Sequence, residues 1–414
     1  MPLNAPASFK TPLPDNRRIM AAIFTAALTA SFAPAAIAQQ TTDAIAPEAS
    51  TTTTNAQSRP SVRAKDWMIS AANPLAVEAG ADILRAGGNA IDAMVAIQTM
   101  LGLVEPQSSG LGGGAFLVYF DAKSGKLTTL DGRETAPLNA TPTLFHDENG
   151  EPLKFYDAVV GGRSVGTPGT PALMKAAHEK WGQMPWNSLF NPAIDVASNG
   201  FAVSPRLAEL IASDQEKLSR DPEAKGYFFD KDGAPLTAGI VLRNPQYAAT
   251  LQDLAANGID NFYHGQIAQD IVDKVRRADW NPGVLSLTDF ANYQAKERPA
   301  VCIEYRERDV CGMGPPSSGA LTVGQILGLI APYDIAAMGP QSAESWRLIG
   351  DASRLAFADR GRYMADIDFV PMPLTGLLDQ TYLAERSKLL DRDTALETVE
   401  PGAPSFSHAM HLAD

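Results

Sequence analysis

The sequence predicts a mixed α+β fold, packed in layers as one domain over residues 61–390. Three observations point there. Apolar stripes of helical period alternate along the chain with short runs rich in β-branched and aromatic residues. No internal repeat period is visible. The composition, 45% hydrophobic and 20% charged over 414 residues, supplies apolar material for a sizeable core. With 34 basic against 47 acidic side chains, the net charge of −13 leaves no basic footprint for nucleic acid.

The first helix is expected to begin at Pro74, with Asn73 as N-cap and Gly87-Gly88 as its stop. Ala76, Ala79, Ile83 and Ala86 form its apolar stripe. Asn89 then caps a second helix running through Leu101. Its Ile91, Met94, Val95, Ile97 and Met100 make it apolar almost all round, and therefore buried. A glycine-rich loop, Ser108 to Gly114, leads into a strand at 115–120, and Ser124-Gly125 turns it back into a second strand at 127–130. Further helices are expected at 171–180, 191–198, 247–256, 266–277, 321–329 and 343–363, with strands at 300–305 and 309–313.

Ahead of the domain, Arg17-Arg18, an apolar run at 19–33 and Ala36-Ile37-Ala38 follow the basic, apolar, small-x-small order of a signal peptide. Residues 1–38 are therefore expected to be removed after Ala38, leaving a periplasmic or secreted protein. The run is interrupted by Thr25, Thr29 and Ser31 and is short for a membrane anchor, so no membrane attachment is expected after cleavage. Residues 39–60, with threonines at 51–54 among Gln, Ala, Ser and Pro, read as a disordered linker, and 391–414 as a flexible tail.

Three short motifs match known patterns and fail on context. Gly110-x-Gly112-x-x-Ala115 fits a dinucleotide fingerprint, but here a helix precedes the glycines and a strand follows, the reverse of what phosphate binding needs. Gly162-Arg163-Ser164-Val165-Gly166 fits a serine nucleophile elbow, with 156–160 as the preceding strand. The prolines and glycine of Thr167-Pro168-Gly169-Thr170-Pro171, however, interrupt the helix that must follow at once. His408-x-x-His411 lies in a Pro- and Ala-rich tail without nearby cysteine. No metal or cofactor is expected.

A set of longer motifs, in order, carries the identification. Asn73-Pro74-Leu75-Ala76, Ala86-Gly87-Gly88-Asn89-Ala90-x-Asp92-Ala93, Val104-Glu105-Pro106-Gln107-x-Ser109-Gly110-x-Gly112-Gly113-Gly114 and Asp131-Gly132-Arg133-Glu134-x-Ala136-Pro137 come first. Gly166-x-Pro168-Gly169-Thr170, Asp260-x-Phe262-Tyr263-x-Gly265, Pro315-Pro316-Ser317-Ser318-Gly319 and Ala356-Phe357-Ala358-Asp359-Arg360 follow. Together they resemble the large-subunit portion of the γ-glutamyltransferases (glutathione hydrolases). The resemblance implies an N-terminal-nucleophile hydrolase with an αββα sandwich. It also implies a proenzyme that cleaves itself ahead of a threonine, whose new α-amine then takes the hydroxyl proton. The implied partners are a small subunit from the same proenzyme, glutathione and other γ-glutamyl donors, and amino-acid or dipeptide acceptors.

The chain departs from that family in one respect. No threonine stands in the nucleophile's context, so the nucleophile is expected beyond Asp414 and this chain alone is expected to be inactive. One role carries over: Arg133 matches the arginine that grips the substrate α-carboxylate. The guanidinium offers a planar fork that can make two charge-assisted bonds to a carboxylate. Judged without the resemblance, Arg133 is an ordinary solvated arginine after a hairpin. The glycines at 110–114 and Ser317-Ser318 read as loop geometry rather than ligand contacts. A cephalosporin or glutaryl acylase of the same fold, a truncated non-catalytic product, and a serine hydrolase at Ser164 are the competing readings.

The two cysteines, Cys302 and Cys311, flank a turn at Arg306-Glu307. A two-residue turn places them opposite one another as a non-hydrogen-bonded pair, where side chains lie closest. A disulfide is expected, and two buried free thiols are the alternative, because Arg-Glu is not a typical hairpin turn.

Overall fold

A computed structural model describes residues 63–406. The expected signal peptide and linker, and His408 and His411, lie outside those residues. Helix α1, Pro74–Arg85, is capped by the Asn73 side chain, which accepts from the Leu75 amide. Helix α2, Ala90–Val104, starts with a reciprocal capping box between Asn89 and Asp92. Its Ile91, Val95, Ala96, Met100, Leu103 and Val104 are all buried, because helices pack on it from several sides.

The three-stranded sheet is antiparallel, in the order β1 (Ala115–Asp121), β2 (Lys126–Gly132), β5 (Lys296–Arg298). Tyr119 and Leu117 of β1 and Leu130 of β2 face helix α3, Thr170–Trp181, and pack with Leu173, Ala177 and Trp181. The pleat sends Phe116, Val118 and Phe120 to the opposite face, where they are 37%, 44% and 61% exposed. On β1 that face is apolar and open, whereas its partners across on β2, Thr129 and Asp131, are polar and buried. A two-residue pairing of β3 (Phe201–Ala202) with β4 (Val241–Leu242) ties helix α4 (Asn191–Asn199) to helix α5 (Pro245–Asn257). Residues 156–160, expected as a strand, fall instead in a short helix, Phe155–Val159, closed by the Val160 amide on the Tyr156 carbonyl. An apolar run that short does not distinguish the two.

Strands β6 (Val301–Tyr305) and β7 (Arg308–Gly312) form a hairpin, with Cys302 opposite Cys311 and the two joined by a disulfide. Its turn residues Arg306 and Glu307 have φ of 49° and 63°, the two-residue geometry that glycine or asparagine normally supplies. A side chain in that region costs about 1–2 kcal/mol, part of which a glycine returns through unfolded-chain entropy. Glu307→Gly is expected to stabilise the protein by about 0.5–1 kcal/mol, read as a higher denaturant midpoint at unchanged m-value.

The hairpin packs on helix α6, Gly319–Ile330, which lies with α7 (Ala343–Tyr363) and α8 (Gln380–Ser387) around Leu329, Leu348, Leu355 and Leu383. The tail expected to be flexible over 391–414 is docked as far as the described residues run. Leu396 and Pro404 are buried, and the Leu396 amide donates to Asp351 at 3.0 Å. The buried Asp359 carboxylate accepts from the Gly402 amide at 2.7 Å. Polar, Pro-rich composition hid this, because the segment is held by side chains from distant helices rather than by its own apolar content.

Candidate active-site cleft

Arg133 follows the last residue of β2, and its backbone is held from two sides. Its amide donates to Asp131 Oδ1 at 2.9 Å, and its carbonyl accepts from the Tyr293 hydroxyl at 2.7 Å. Burial pushes the Tyr293 phenol up, and the Asp131 and Glu134 charges add to it, so this donor keeps its proton at physiological pH. Two residues on, Thr135 exchanges backbone hydrogen bonds with Thr167. The Arg133 side chain is exposed and has no hydrogen-bond or ion-pair partner among the described residues. It lines a cleft of about 500 Å³ together with Gly112, Glu134, Arg163, Ser164 and Gly166, a size suited to a small ligand.

The glycine-rich loop braces this wall. The Gly113 carbonyl accepts from the Gly169 and Thr170 amides at 2.9 and 3.1 Å, joining two of the sequence motifs. A Cβ on Gly114 would lie 2.5 Å from Glu134 Oε2 and 2.8 Å from the Glu134 amide, so only glycine lets the chains approach. Ser317 and Ser318 likewise serve loop structure: Ser317 Oγ accepts from the Gly319 amide and Ser318 Oγ from Arg360 Nε. The Ser164 hydroxyl donates to the Val159 carbonyl at 2.7 Å. With a helix ahead of it and no imidazole hydrogen-bonded to it among the described residues, Ser164 has no activating base.

Behind Arg133, sequence reasoning missed an ion-pair chain. Arg298 Nε donates to Asp131 Oδ2 at 2.7 Å, and its two terminal nitrogens grip Asp368 at 2.9 and 2.7 Å. Lys296 adds a contact to Asp368 at 2.5 Å. These partners lie 70 or more positions apart, so no local motif signals them. Arg298 and Lys296 hold the Asp368 carboxyl well below the usual carboxylate range. A depressed folded pKa contributes stability that is full above the unfolded value near ~3.9 and is lost as pH falls through the folded value. Asp368→Asn is expected to lower stability at neutral pH by about 1–2 kcal/mol and to flatten the wild-type loss below about pH 4. Urea midpoints across pH 2–7 read both effects.

Comparison with known proteins gives the family and the fold. A family model described as Gamma-glutamyltranspeptidase matches residues 76–411. The glutathione hydrolase proenzyme of Bacillus subtilis is 38% identical over 340 residues, covering 82% of this chain and 57% of that protein. The acylase ACY 1 proenzyme of Pseudomonas sp. (strain SE83) is 35% identical, covering 79% and 59%. The crystal structure of Helicobacter pylori γ-glutamyltranspeptidase superposes with a TM-score of 0.79 at 34% identity, covering 83% of this chain and 97% of that one. The chain belongs to the γ-glutamyltranspeptidase family, with the α+β fold of the N-terminal-nucleophile hydrolases. It spans just under three-fifths of the length of the curated relatives it matches.

Proposed function

We propose that this chain is the large-subunit part of an exported γ-glutamyltransferase or glutathione hydrolase. Its part is to hold the α-carboxylate of a γ-glutamyl donor on Arg133 while a small subunit from the same proenzyme brings the threonine nucleophile. The threonine oxygen displaces the leaving amine from the γ-carbonyl, and water or an amino acid then takes the acyl group. The observation that carries the reading is the Arg133 guanidinium: unpartnered among the described residues, and fixed at its backbone on a cleft wall.

The open apolar face of β1 supports the second chain. Phe116, Val118 and Phe120 form an exposed stripe on an edge strand, which a sheet ordinarily buries. The remaining two-fifths of the proenzyme relatives' length supplies the occupant. Among the described residues no helix is long and apolar enough to cross a membrane; export rests on the leader at 1–38.

The completed two-chain protein should release aniline from a γ-glutamyl anilide, and the isolated chain should not. No release by protein that has matured into two subunits would overturn the reading. The likeness to an acylase proenzyme favours one alternative, in which a glutaryl amide, which keeps the carboxylate and lacks only the α-amine, is cleaved faster than its γ-glutamyl counterpart.

A further inference from the structure

We propose that Arg163 is a specificity-determining residue of the same cleft, binding the C-terminal carboxylate of the peptide attached to the γ-glutamyl group; this rests on the reading of Arg133 above. Three charged side chains line the cleft: Arg133, Glu134 and Arg163. Glu134 lays its carboxylate against Gly114, and among the described residues it pairs with neither guanidinium. Arg163 is half-buried, and its side chain makes one long hydrogen bond, from Nη1 to the His146 carbonyl at 3.4 Å. Most of its N–H donors are therefore without a partner among the described residues, although its body is already ordered against the wall.

The backbone beneath it is rigid. The Arg163 amide donates to the Asn281 carbonyl at 2.8 Å. Asn281 Nδ2 in turn donates to the carbonyls of Asp157 and Ala158 at 3.0 and 2.9 Å. A Cβ on Gly162 would lie 2.1 Å from the Val275 carbonyl oxygen, so the segment seats directly on the neighbouring chain. Two guanidiniums on one small cleft repel each other unless a ligand brings anions to both. A γ-glutamyl peptide has that pattern: an α-carboxylate at the glutamyl end and a second carboxylate at the peptide C-terminus. A guanidinium fork suits each of them.

The test uses the completed two-chain protein and three donors: glutathione, glutathione with its C-terminus converted to a carboxamide, and γ-glutamyl-p-nitroanilide. Wild type is expected to show a KM about tenfold lower for the free acid than for the carboxamide, the scale of one charge-assisted contact. Arg163→Gln should raise KM about tenfold for glutathione and less than about twofold for the other two, while Arg163→Lys keeps part of the preference. Equal changes with all three donors, or none with any, would overturn the role of Arg163. Turnover by wild type with no preference for the free acid overturns the role of Arg163 and leaves the γ-glutamyl reading standing. Absence of turnover with every donor overturns both.

Discussion

Arg133→Lys in the two-chain protein is expected to lower kcat/KM for a γ-glutamyl anilide by roughly thirty- to a thousandfold, about 2–4 kcal/mol. Lysine preserves the charge but offers a point donor where the substrate carboxylate meets a planar fork, so orientation is lost together with attraction. The loss should not reach the fold. The Arg133 amide and carbonyl carry the contacts to Asp131 and Tyr293, and both survive the substitution. The proposed self-cleavage would act on the chain's own backbone and need no substrate carboxylate, so the two subunits should appear on a gel as in wild type. Normal maturation with wild-type kinetics would reduce Arg133 to a surface residue.

Asp359→Ala is expected to be the most destabilising single change at a polar residue, by about 3–5 kcal/mol. The carboxylate is 1% exposed. It accepts from Gln325 Nε2 at 2.9 Å, Tyr382 Oη at 2.6 Å and the Gly402 amide at 2.7 Å, and pairs with Arg386 at 3.2 Å. Removing it strands a nearly buried arginine and frees the segment around Gly402, which Tyr363 and Arg386 otherwise hold through the Gly402 and Glu400 carbonyls. Two readouts follow: a lower denaturant midpoint, and faster proteolysis within 391–406. A midpoint shift worth under about 1 kcal/mol with unchanged proteolysis would mean that neighbouring contacts already secure the segment.

Much of this was legible in the sequence because it is local. Asn73-Pro74 and Asn89 with Asp92 cap helices through side chains two or three positions away. The unbroken apolar and aromatic run at 115–120 marks a strand, and the spacing of Cys302 and Cys311 needs only a two-residue turn to set them opposite one another. Helix Pro205–Ser213 carries the same kind of local signal, Ser204 as N-cap before a proline. The motif around Asp131-Gly132-Arg133-Glu134 pointed to Arg133 through family likeness, since an exposed arginine has no local signature of function.

What the sequence by itself determined, then, was the α+β class, the starts of most of the longer helices, the hairpin register and the family. Those rest on periodicity, capping and ordered motifs, which act within a few residues. Only the tertiary structure decided which face of β1 stays open, that Arg163 shares a cleft with Arg133, that Arg298 links Asp131 to Asp368, and that Asp359 anchors the chain at Gly402. The reason is physical. A charge or an amide separated in sequence by 30 to 170 residues from its partner leaves no trace in local pattern, and its role exists only once packing has brought the two together and excluded water around them.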